Sequence, residues 1–223
     1  MTLVMKRVIR EIVEAIILTI IIYTLIHAVI ETKRVEGSSM EPTLQTGNHL
    51  VLNKAVYWRF DPRIIDQFIP GRQNNGDKPF YIFGQPQRGD IIVLKYPRDT
   101  TRDFIKRIIA LPGDTVEIKQ GRVYVNNQPL NEPYILARPA YYLPREVVPP
   151  DNVFVLGDNR NNSSDSHIWG MLPINDIVGK AWIMYWPPSK WGPAPNAELT
   201  VQQARQLPAN NLNPTVGRRR RGD

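Results

Sequence analysis

The sequence predicts a mainly β domain behind a single N-terminal transmembrane helix. Two observations carry this prediction: an uncharged apolar run close to the N-terminus, and a series of short apolar segments along the rest of the chain. Gly, Pro, Asn and Asp separate these segments, which is typical of strands joined by turns. Because 42% of the 223 residues are hydrophobic, the chain can also form a buried core.

The apolar run predicts the anchor. Residues 15–30 contain no charged residue, and extending the run back to Ile12 adds one acid, Glu14. The 19 residues would form a helix about 28 Å long, close to the hydrocarbon thickness of a bilayer. A buried core helix is less consistent with a run that is apolar on all sides. A cleaved signal peptide normally has a shorter apolar region and a small-x-small site. We predict an uncleaved anchor over 12–30 after a short segment, 1–11.

The flanking charges predict the orientation of the anchor. Three basic residues precede the run and two follow it: Lys6, Arg7 and Arg10, then Lys33 and Arg34. This small excess favours a cytoplasmic N-terminus, with the rest of the chain outside the cytoplasm. A chain without cysteine avoids stray oxidation in such a compartment.

Seven short apolar segments follow the run, and each predicts a strand. They are His49–Lys54, Asp90–Tyr96, Asp103–Ala110, Thr115–Lys119, Arg122–Asn126, Asn152–Leu156 and Val178–Tyr185. The stretch Lys119-Gln120-Gly121-Arg122 joins two of them and predicts a hairpin.

Two stretches are predicted to lie outside the compact body, which would span 32–186. Residues 61–87 are rich in Gly, Pro, Gln and Asn and predict a long loop or insertion. Residues 187–223 contain six prolines, end in an arginine run and predict a disordered tail that is dispensable for activity.

Composition excludes several classes of site. Without cysteine there are no disulfides, thiolate ligands or cysteine nucleophiles, and the three histidines lie far apart in the sequence. We therefore expect no histidine-rich metal cluster. Residues 218–221 are four arginines, but no nucleic-acid-binding module accompanies them, so we expect a solvated terminus and no nucleic-acid partner. The oligomeric state stays open.

Three segments carry unusual polar residues, and the first follows the anchor: Gly37-Ser38-Ser39-Met40-Glu41-Pro42-Thr43-Leu44. Ser38 and Glu41 have the spacing of a helix capping box. Pro42 is poorly placed in such a helix and disfavours helical geometry at Glu41. The segment therefore predicts a tight turn that presents a serine.

The second segment is the predicted strand Asp103–Ala110. Alternation places Lys106 on one face with Phe104 and Ile108, and Arg107 on the other. Burial in that apolar neighbourhood would lower the pKa of Lys106 and provide a neutral amine that can act as a general base. The local pattern alone favours the alternative, in which the lysine extends from a strand edge and keeps its ammonium group in water.

The third segment runs from Gly157 through Asp158-Asn159-Arg160-Asn161-Asn162-Ser163-Ser164-Asp165-Ser166 to His167. Its density of small polar residues is typical of a surface turn. A Ser-His-Asp triad from the consecutive residues 165–167 is geometrically poor. If a serine is the nucleophile, Lys106 is the better candidate base.

Together, and in this order behind an anchor, the three segments resemble the conserved boxes of the type I signal peptidases (leader peptidases). Gly37–Leu44 is similar to the nucleophile box, Arg88–Val93 with Phe104–Asp114 to the lysine box, and Gly157–Ser166 to the third box. The resemblance covers about residues 10–186, and the style of the third box is most like that of cyanobacterial and plastid members. It implies a coiled β-sheet catalytic domain of the signal-peptidase and LexA-like type.

The resemblance also implies roles for matching positions. Ser39 would be the nucleophile and Lys106 the general base. Ser163, Asp158, Arg107 and Asp165 would orient or support them, with Arg107 and Asp158 as an ion pair. The substrate pockets would be lined by Val35, Gly37, Met40, Leu44, Phe104 and Ile105.

Three positions depart from the family pattern. Asn48 stands where an acid is usual. Gly37 stands where some members carry a serine that helps to hold the oxyanion, so backbone N–H groups would have to suffice. His167 stands where an arginine is common, so an ion pair with Asp165 would depend on pH.

The implied function is removal of signal peptides from exported preproteins after small residues at −1 and −3, by a reaction that needs no metal and no cofactor. The catalytic domain would face the periplasm from a plasma membrane or the lumen from a thylakoid membrane. The alternative is a membrane-anchored peptide-binding module of the same fold without catalysis.

Overall fold

The computed structural model describes residues 3–66 and 79–199. The centre of the predicted loop, 67–78, and most of the predicted tail, 200–223, lie outside the described residues. The described helices are α1 (Leu3–Val29), α2 (Arg63–Asp66) and α3 (Ser166–Trp169). Short 3-10 turns lie at Ala55–Tyr57, Arg160–Asn162, Ile174–Asp176 and Pro188–Lys190.

The described strands are β1 (Ile30–Arg34), β2 (His49–Asn53), β3 (Arg59–Phe60), β4 (Phe80–Tyr81), β5 (Ile91–Tyr96), β6 (Asp99–Ala110), β7 (Thr115–Lys119), β8 (Arg122–Val125), β9 (Gln128–Pro129), β10 (Leu143–Val147), β11 (Asn152–Leu156), β12 (Leu172–Pro173), β13 (Ile177–Trp186) and β14 (Gly192–Pro193). All seven predicted strands are present with small shifts of their bounds. The described residues are therefore mainly β behind one long N-terminal helix, as predicted.

Helix α1 is long and apolar enough to span a membrane. The most apolar 18 residues within Met5–Val29 have a mean hydropathy of 2.3, and none of them is buried in the rest of the structure. The helix begins before residue 12, the predicted start of the anchor. Two i,i+4 ion pairs help to extend it, Arg7–Glu11 at 3.1 Å and Arg10–Glu14 at 3.4 Å. Its composition and length fit a membrane-anchored protein.

The strands of the described residues form one large antiparallel sheet and two smaller ones. The large sheet has the order β1-β2-β13-β5-β6-β11-β12, with β14 paired to β13. The strands β10-β7-β8-β9 form a second sheet, which contains the predicted hairpin. Strand β1 was not predicted because its charged residues interrupt the apolar pattern by which the other strands were identified. Lys33 pairs with Glu31 at 2.9 Å and with Asp103 of β6 at 2.6 Å.

The ends of the predicted loop over 61–87 are partly ordered by a third sheet. Strands β3 and β4 pair through Arg59 with Tyr81 and Phe60 with Phe80. The chain therefore leaves the body after β3 and returns beside it at β4.

The described chain continues past residue 186, the predicted end of the body, and packs against it. Strand β14 pairs with β13 through Ile183 with Pro193 and Met184 with Gly192. Ala194 is only 6% exposed and packs in the core cluster that lies beneath residues 35–44. Proline removes an N–H donor but keeps its carbonyl, so a proline-rich segment can still pack along a sheet edge. The ordered body thus continues at least to Leu199.

Candidate active site

Ser39 lies in a turn between β1 and β2. Its local sequence predicts this turn and disfavours a helix. The base of the turn is closed by backbone bonds from Val35 N to Asn48 O at 2.8 Å and from Gly47 N to Val35 O at 2.9 Å. On its inner side the turn buries Met40, which is 1% exposed, in the core cluster. These contacts fix the backbone while the Ser39 side chain stays partly accessible.

Lys106 reaches Ser39 from strand β6. Its Nζ lies 2.9 Å from Ser39 Oγ and 2.9 Å from the Ile105 carbonyl oxygen. The residue is 3% exposed, and its Nζ lies 5.1 Å from the centroid of the Phe104 ring. The alternative in which Lys106 extends into water is therefore not the arrangement that the chain adopts.

The environment of Lys106 favours its neutral form. Burial lowers the pKa of the amine from 10.5 to about 8, while the charges of Asp165 and Asp158 act in the opposite direction. A substantial fraction of the amine is therefore neutral at mildly alkaline pH. A neutral amine 2.9 Å from a hydroxyl can accept its proton, which is the geometry that general-base activation of a serine requires.

The third polar segment holds the backbone of the serine turn. Asn159 N donates to Ser39 O at 3.0 Å, and Asn159 Nδ2 donates to Ser38 O at 3.1 Å. Asn162 Nδ2 donates to Ser38 Oγ at 2.9 Å. No role for Asn159 or Asn162 was predicted, and their position inside the third segment was the only signal. They contribute by holding the turn that carries Ser39.

Ser163 lies beside the turn that carries Ser39 and forms no hydrogen bond with Lys106. Its Oγ is buried and has no hydrogen-bond partner among the residues that the structure describes. A Cβ on Gly157 would lie 2.2 Å from Ser163 Oγ and 2.5 Å from Ser39 O. Only glycine at position 157 therefore permits the close packing of Ser163 against the nucleophile turn.

Arg107 and Asp158 form a buried ion pair on the other face of β6. Arg107 Nε and Nη2 donate to the two Asp158 carboxylate oxygens at 2.9 and 2.8 Å, and both side chains are fully buried. Arg107 Nη1 also donates to Gly89 O at 2.8 Å, and its guanidinium lies 4.2 Å from the centroid of the Tyr134 ring. Breaking a buried pair of this kind typically costs about 3–5 kcal/mol. The pair fixes the strand that carries Lys106 to the third segment.

Asp165 connects the third segment to helix α3. Its Oδ2 accepts from Gly157 N at 2.9 Å, and its Oδ1 lies 2.5 Å from His167 Nδ1. The His167 ring stacks on Tyr141 with centroids 3.8 Å apart. Asp165 is fully buried, so it stabilises the loop from within and does not contact Ser39.

A cavity of about 340 Å³ opens beside Ser39 and Lys106, which both line it. Five of the six predicted substrate-binding residues also line it: Val35, Gly37, Met40, Phe104 and Ile105. The sixth, Leu44, is fully buried in the core beneath the cavity and does not line it.

One wall of the cavity is an open strand edge. Residues 104–106 of β6 pair with β5 on one side, whereas β11 joins β6 only at Arg107, Ile108 and Ala110. In the described part of the chain, the other side of residues 104–106 therefore has no sheet partner. An extended peptide can add to such an edge through main-chain hydrogen bonds.

Metal ligands do not cluster in the described residues. Within 3–66 and 79–199, no three His, Cys, Asp or Glu side chains converge on a point where they could hold a metal ion.

Comparison with known proteins places this site in a family. The family model "Signal peptidase, peptidase S26" matches residues 7–186. The chain is 44% identical over 171 residues to a probable signal peptidase I-1 of Synechocystis sp., covering 74% of this chain and 75% of that protein. It is 39% identical over 166 residues to thylakoidal processing peptidase 1 of Arabidopsis thaliana, covering 73% of this chain and 44% of that longer protein.

A crystal structure of a signal peptidase I from Enterococcus faecalis V583 aligns with a TM-score of 0.40 and 32% identity, covering 43% of this chain and 96% of that chain. The match of the family model and the similarity to the cyanobacterial and plastid proteins decide the assignment. The chain belongs to the signal peptidase family, peptidase S26, and is a type I signal peptidase most similar in kind to cyanobacterial and plastid members.

Proposed function

We propose that this protein removes signal peptides from exported preproteins by a Ser–Lys dyad, cleaving after small residues at −1 and −3. The observation that carries the proposal is the 2.9 Å contact between Ser39 Oγ and the buried Lys106 Nζ. The names of the related proteins and the groove beside the dyad support the choice of substrate.

The proposed reaction proceeds in two steps. Neutral Lys106 takes the proton of Ser39 Oγ, which attacks the carbonyl carbon of the −1 residue. Lys106 then gives the proton to the leaving amine, and the peptide bond breaks to leave an acyl ester on Ser39. Lys106 then takes a proton from water, which attacks the ester carbonyl carbon. The bond to Ser39 Oγ breaks, Lys106 returns the proton to that oxygen, and the carboxylic acid product leaves. Because residue 37 is a glycine, backbone N–H groups, including that of Ser39, would stabilise the oxyanion.

The supporting residues hold Ser39 and Lys106 in position. The Arg107–Asp158 pair holds β6 against the third segment, which in turn holds the backbone of Ser39 through Asn159. We assign Ser163 to orienting the lysine amine, since its buried hydroxyl lies beside the turn with no other described partner. A hydrogen bond from the amine to Ser163 would direct the nitrogen lone pair toward Ser39.

The groove explains the proposed specificity. A substrate strand added to the open edge of β6 would point its −1 and −3 side chains to the same side, because side chains alternate along a strand. On that side Val35, Met40 and Ile105 leave room for small side chains.

Replacing Ala by Leu at −1 of a preprotein should lower kcat/KM at least about tenfold, because a small pocket rejects extra methylenes. The measurement is cleavage of purified preproteins by the purified protein, followed by the mass of the products. The same replacement at −2, which points the other way, is the control and should have little effect. Equal cleavage of the −1 Leu and −1 Ala preproteins would contradict the proposed pocket.

The rate should rise with pH through about 8. Since the active base is neutral Lys106 with a pKa lowered to about 8, its neutral fraction grows from about one tenth at pH 7 to about nine tenths at pH 9. We therefore expect kcat/KM to increase about tenfold over this range and then to level. The profile should be recorded with a peptide substrate that has no titratable group near its cleavage site. A rate that stays flat or falls between pH 7 and 9 would be inconsistent with a lysine base.

The anchor completes the proposal. The anchor predicted over 12–30, which α1 forms as far as Val29, would span the membrane with its N-terminus in the cytoplasm and the catalytic domain on the other side. The membrane is a plasma membrane or a thylakoid membrane. A groove held near the bilayer meets membrane-bound substrates at a raised effective concentration.

A further inference from the structure

The segment Ala194–Ala197, here named the clasp, docks on the start of β5 and the middle of β13. Ala194 N donates to Trp182 O at 2.8 Å, and Ala197 N donates to Gly89 O at 3.2 Å. A Cβ on Gly89 would lie 1.5 Å from Ala197 O, so the approach requires the absence of a side chain at position 89. The clasp therefore packs closely against Gly89, and this packing requires a glycine at that position.

The Asn196 side chain joins the clasp to two neighbouring strands. Its Oδ1 accepts from Ile91 N of β5 at 2.7 Å, and its Nδ2 donates to Ala181 O of β13 at 2.9 Å. Strands β5 and β13 pair at Ile92 with Lys180, one step along the ladder from these atoms. The amide thus continues the hydrogen-bond ladder where the two backbones separate, and it uses both an acceptor and a donor to do so.

The clasp also covers the ion pair next to the dyad. Pro195 O accepts from Arg107 Nη1 at 3.3 Å and from Nη2 at 3.4 Å. Arg107 is 0% exposed, and the nearby Gly89 O accepts from the same Nη1. Removal of the clasp would take an acceptor from Arg107 and admit water to its pair with Asp158, which weakens the pair.

We propose that the clasp belongs to the catalytic apparatus and that Asn196 is a positioning residue for the Ser39–Lys106 dyad, acting through Arg107. This inference rests on the proposed function. Asn196 places the Pro195 carbonyl on Arg107, and Arg107 with Asp158 joins the strand of Lys106 to the segment that holds Ser39. The predicted dispensable tail would then begin after residue 199 and not after residue 186.

The expected effect is on turnover and not on substrate binding, because no clasp residue lines the cavity beside Ser39. Asn196→Ala should lower kcat about tenfold with KM nearly unchanged, since small displacements of reacting groups lower the rate steeply. It should also move the acid limb of the pH profile toward higher pH, as water reaches the surroundings of Lys106 and weakens the effect of burial on its pKa.

The test compares five full-length or truncated proteins in the preprotein cleavage assay: wild type, Asn196→Ala, Asn175→Ala, a chain ending after residue 199 and a chain ending after residue 193. Asn175 is an exposed asparagine in a 3-10 turn and serves as the matched control. The chain ending after 193 keeps β14 but lacks the clasp. Thermal unfolding of each protein sets a common assay temperature well below the unfolding transition. If the shorter chain does not fold, Asn196→Ala in the full chain decides.

Wild-type behaviour is expected for Asn175→Ala and for the chain ending after 199, with loss of kcat and a shifted acid limb for the other two. A variant Asn196→Ala that is merely less stable, with wild-type kcat and pH profile, would overturn the inference, as would a change in KM alone. Equal loss in both truncated chains would overturn it too. Ser39→Ala in the same series distinguishes failure of the proposed function from failure of the proposed role of the clasp. If Ser39→Ala cleaves like wild type, the Ser39–Lys106 dyad is refuted, and the role of the clasp is refuted with it. If Ser39→Ala is inactive while Asn196→Ala keeps the wild-type kcat and pH profile, only the role of the clasp is refuted.

Discussion

Ser39→Ala should abolish preprotein cleavage while leaving the fold intact. The hydroxyl is the proposed nucleophile, and removal of a serine nucleophile typically lowers kcat by about 10⁴-fold or more. The change deletes one partly accessible hydroxyl whose single side-chain contact among the described residues is with Lys106 Nζ, so the free energy of unfolding should change by only about 1 kcal/mol. The measurement is the initial rate of preprotein shortening, with thermal unfolding recorded on the same samples.

Ser189→Ala is the matched control for this result. Ser189 is exposed in the 3-10 turn Pro188–Lys190, away from the cavity, and its replacement should leave the rate unchanged. Cleavage by Ser39→Ala at more than a small fraction of the wild-type rate would assign the nucleophile to another group.

Lys106→Arg should be as inactive as Ser39→Ala, although it keeps a basic residue at this position. Arginine stays protonated at any pH at which the protein is folded, so it cannot accept the proton of Ser39. The guanidinium must also fit a site where Lys106 is 3% exposed, which adds strain. We expect a loss of about 10⁴-fold in kcat that is not recovered between pH 7 and 10.

Lys95→Arg controls for the substitution itself. Lys95 is exposed on β5, and arginine there should leave cleavage and its pH profile unchanged. Partial activity of Lys106→Arg that increases with pH would show that the base is not the residue 106 side chain.

The local sequence predicts on which face of β6 Lys106 lies, but not how deeply it is buried. Alternation along β6 was enough to place Lys106 and Arg107 on opposite faces, and the structure has this arrangement. The depth of Lys106 could not be predicted locally, because its burial is completed by a turn 67 residues earlier in the chain. The resemblance to a family supplied what the local pattern lacked.

The contacts that hold the serine turn show where prediction from sequence stops. Asn159 binds Ser38 across a separation of 121 residues, and Asn162 binds it across 124. Asparagines in a polar loop are more often ordinary turn residues. Only the folded sheet brings this loop to Ser39, so their task depends on tertiary packing.

The contacts of the residues after 186 could not be predicted from the sequence for a related reason. Prolines and small residues after 186 indicate weak secondary structure, and composition alone favours a tail. The contacts that order residues 192–199 are made with distant strands, including those of Asn196 with Ile91 and Ala181. Such contacts leave no periodic pattern in the sequence of the segment itself.

The central claim is that Ser39 and Lys106 together cleave a peptide bond, and a preprotein cleavage assay at pH 9 tests it most directly. Wild type, Ser39→Ala and Lys106→Arg are incubated with one preprotein that carries Ala at −1 and −3, and the new N-terminus of the product is determined. Wild type should release a product that begins directly after the −1 residue, and neither variant should do so. Cleavage by either variant at the wild-type rate would contradict the dyad.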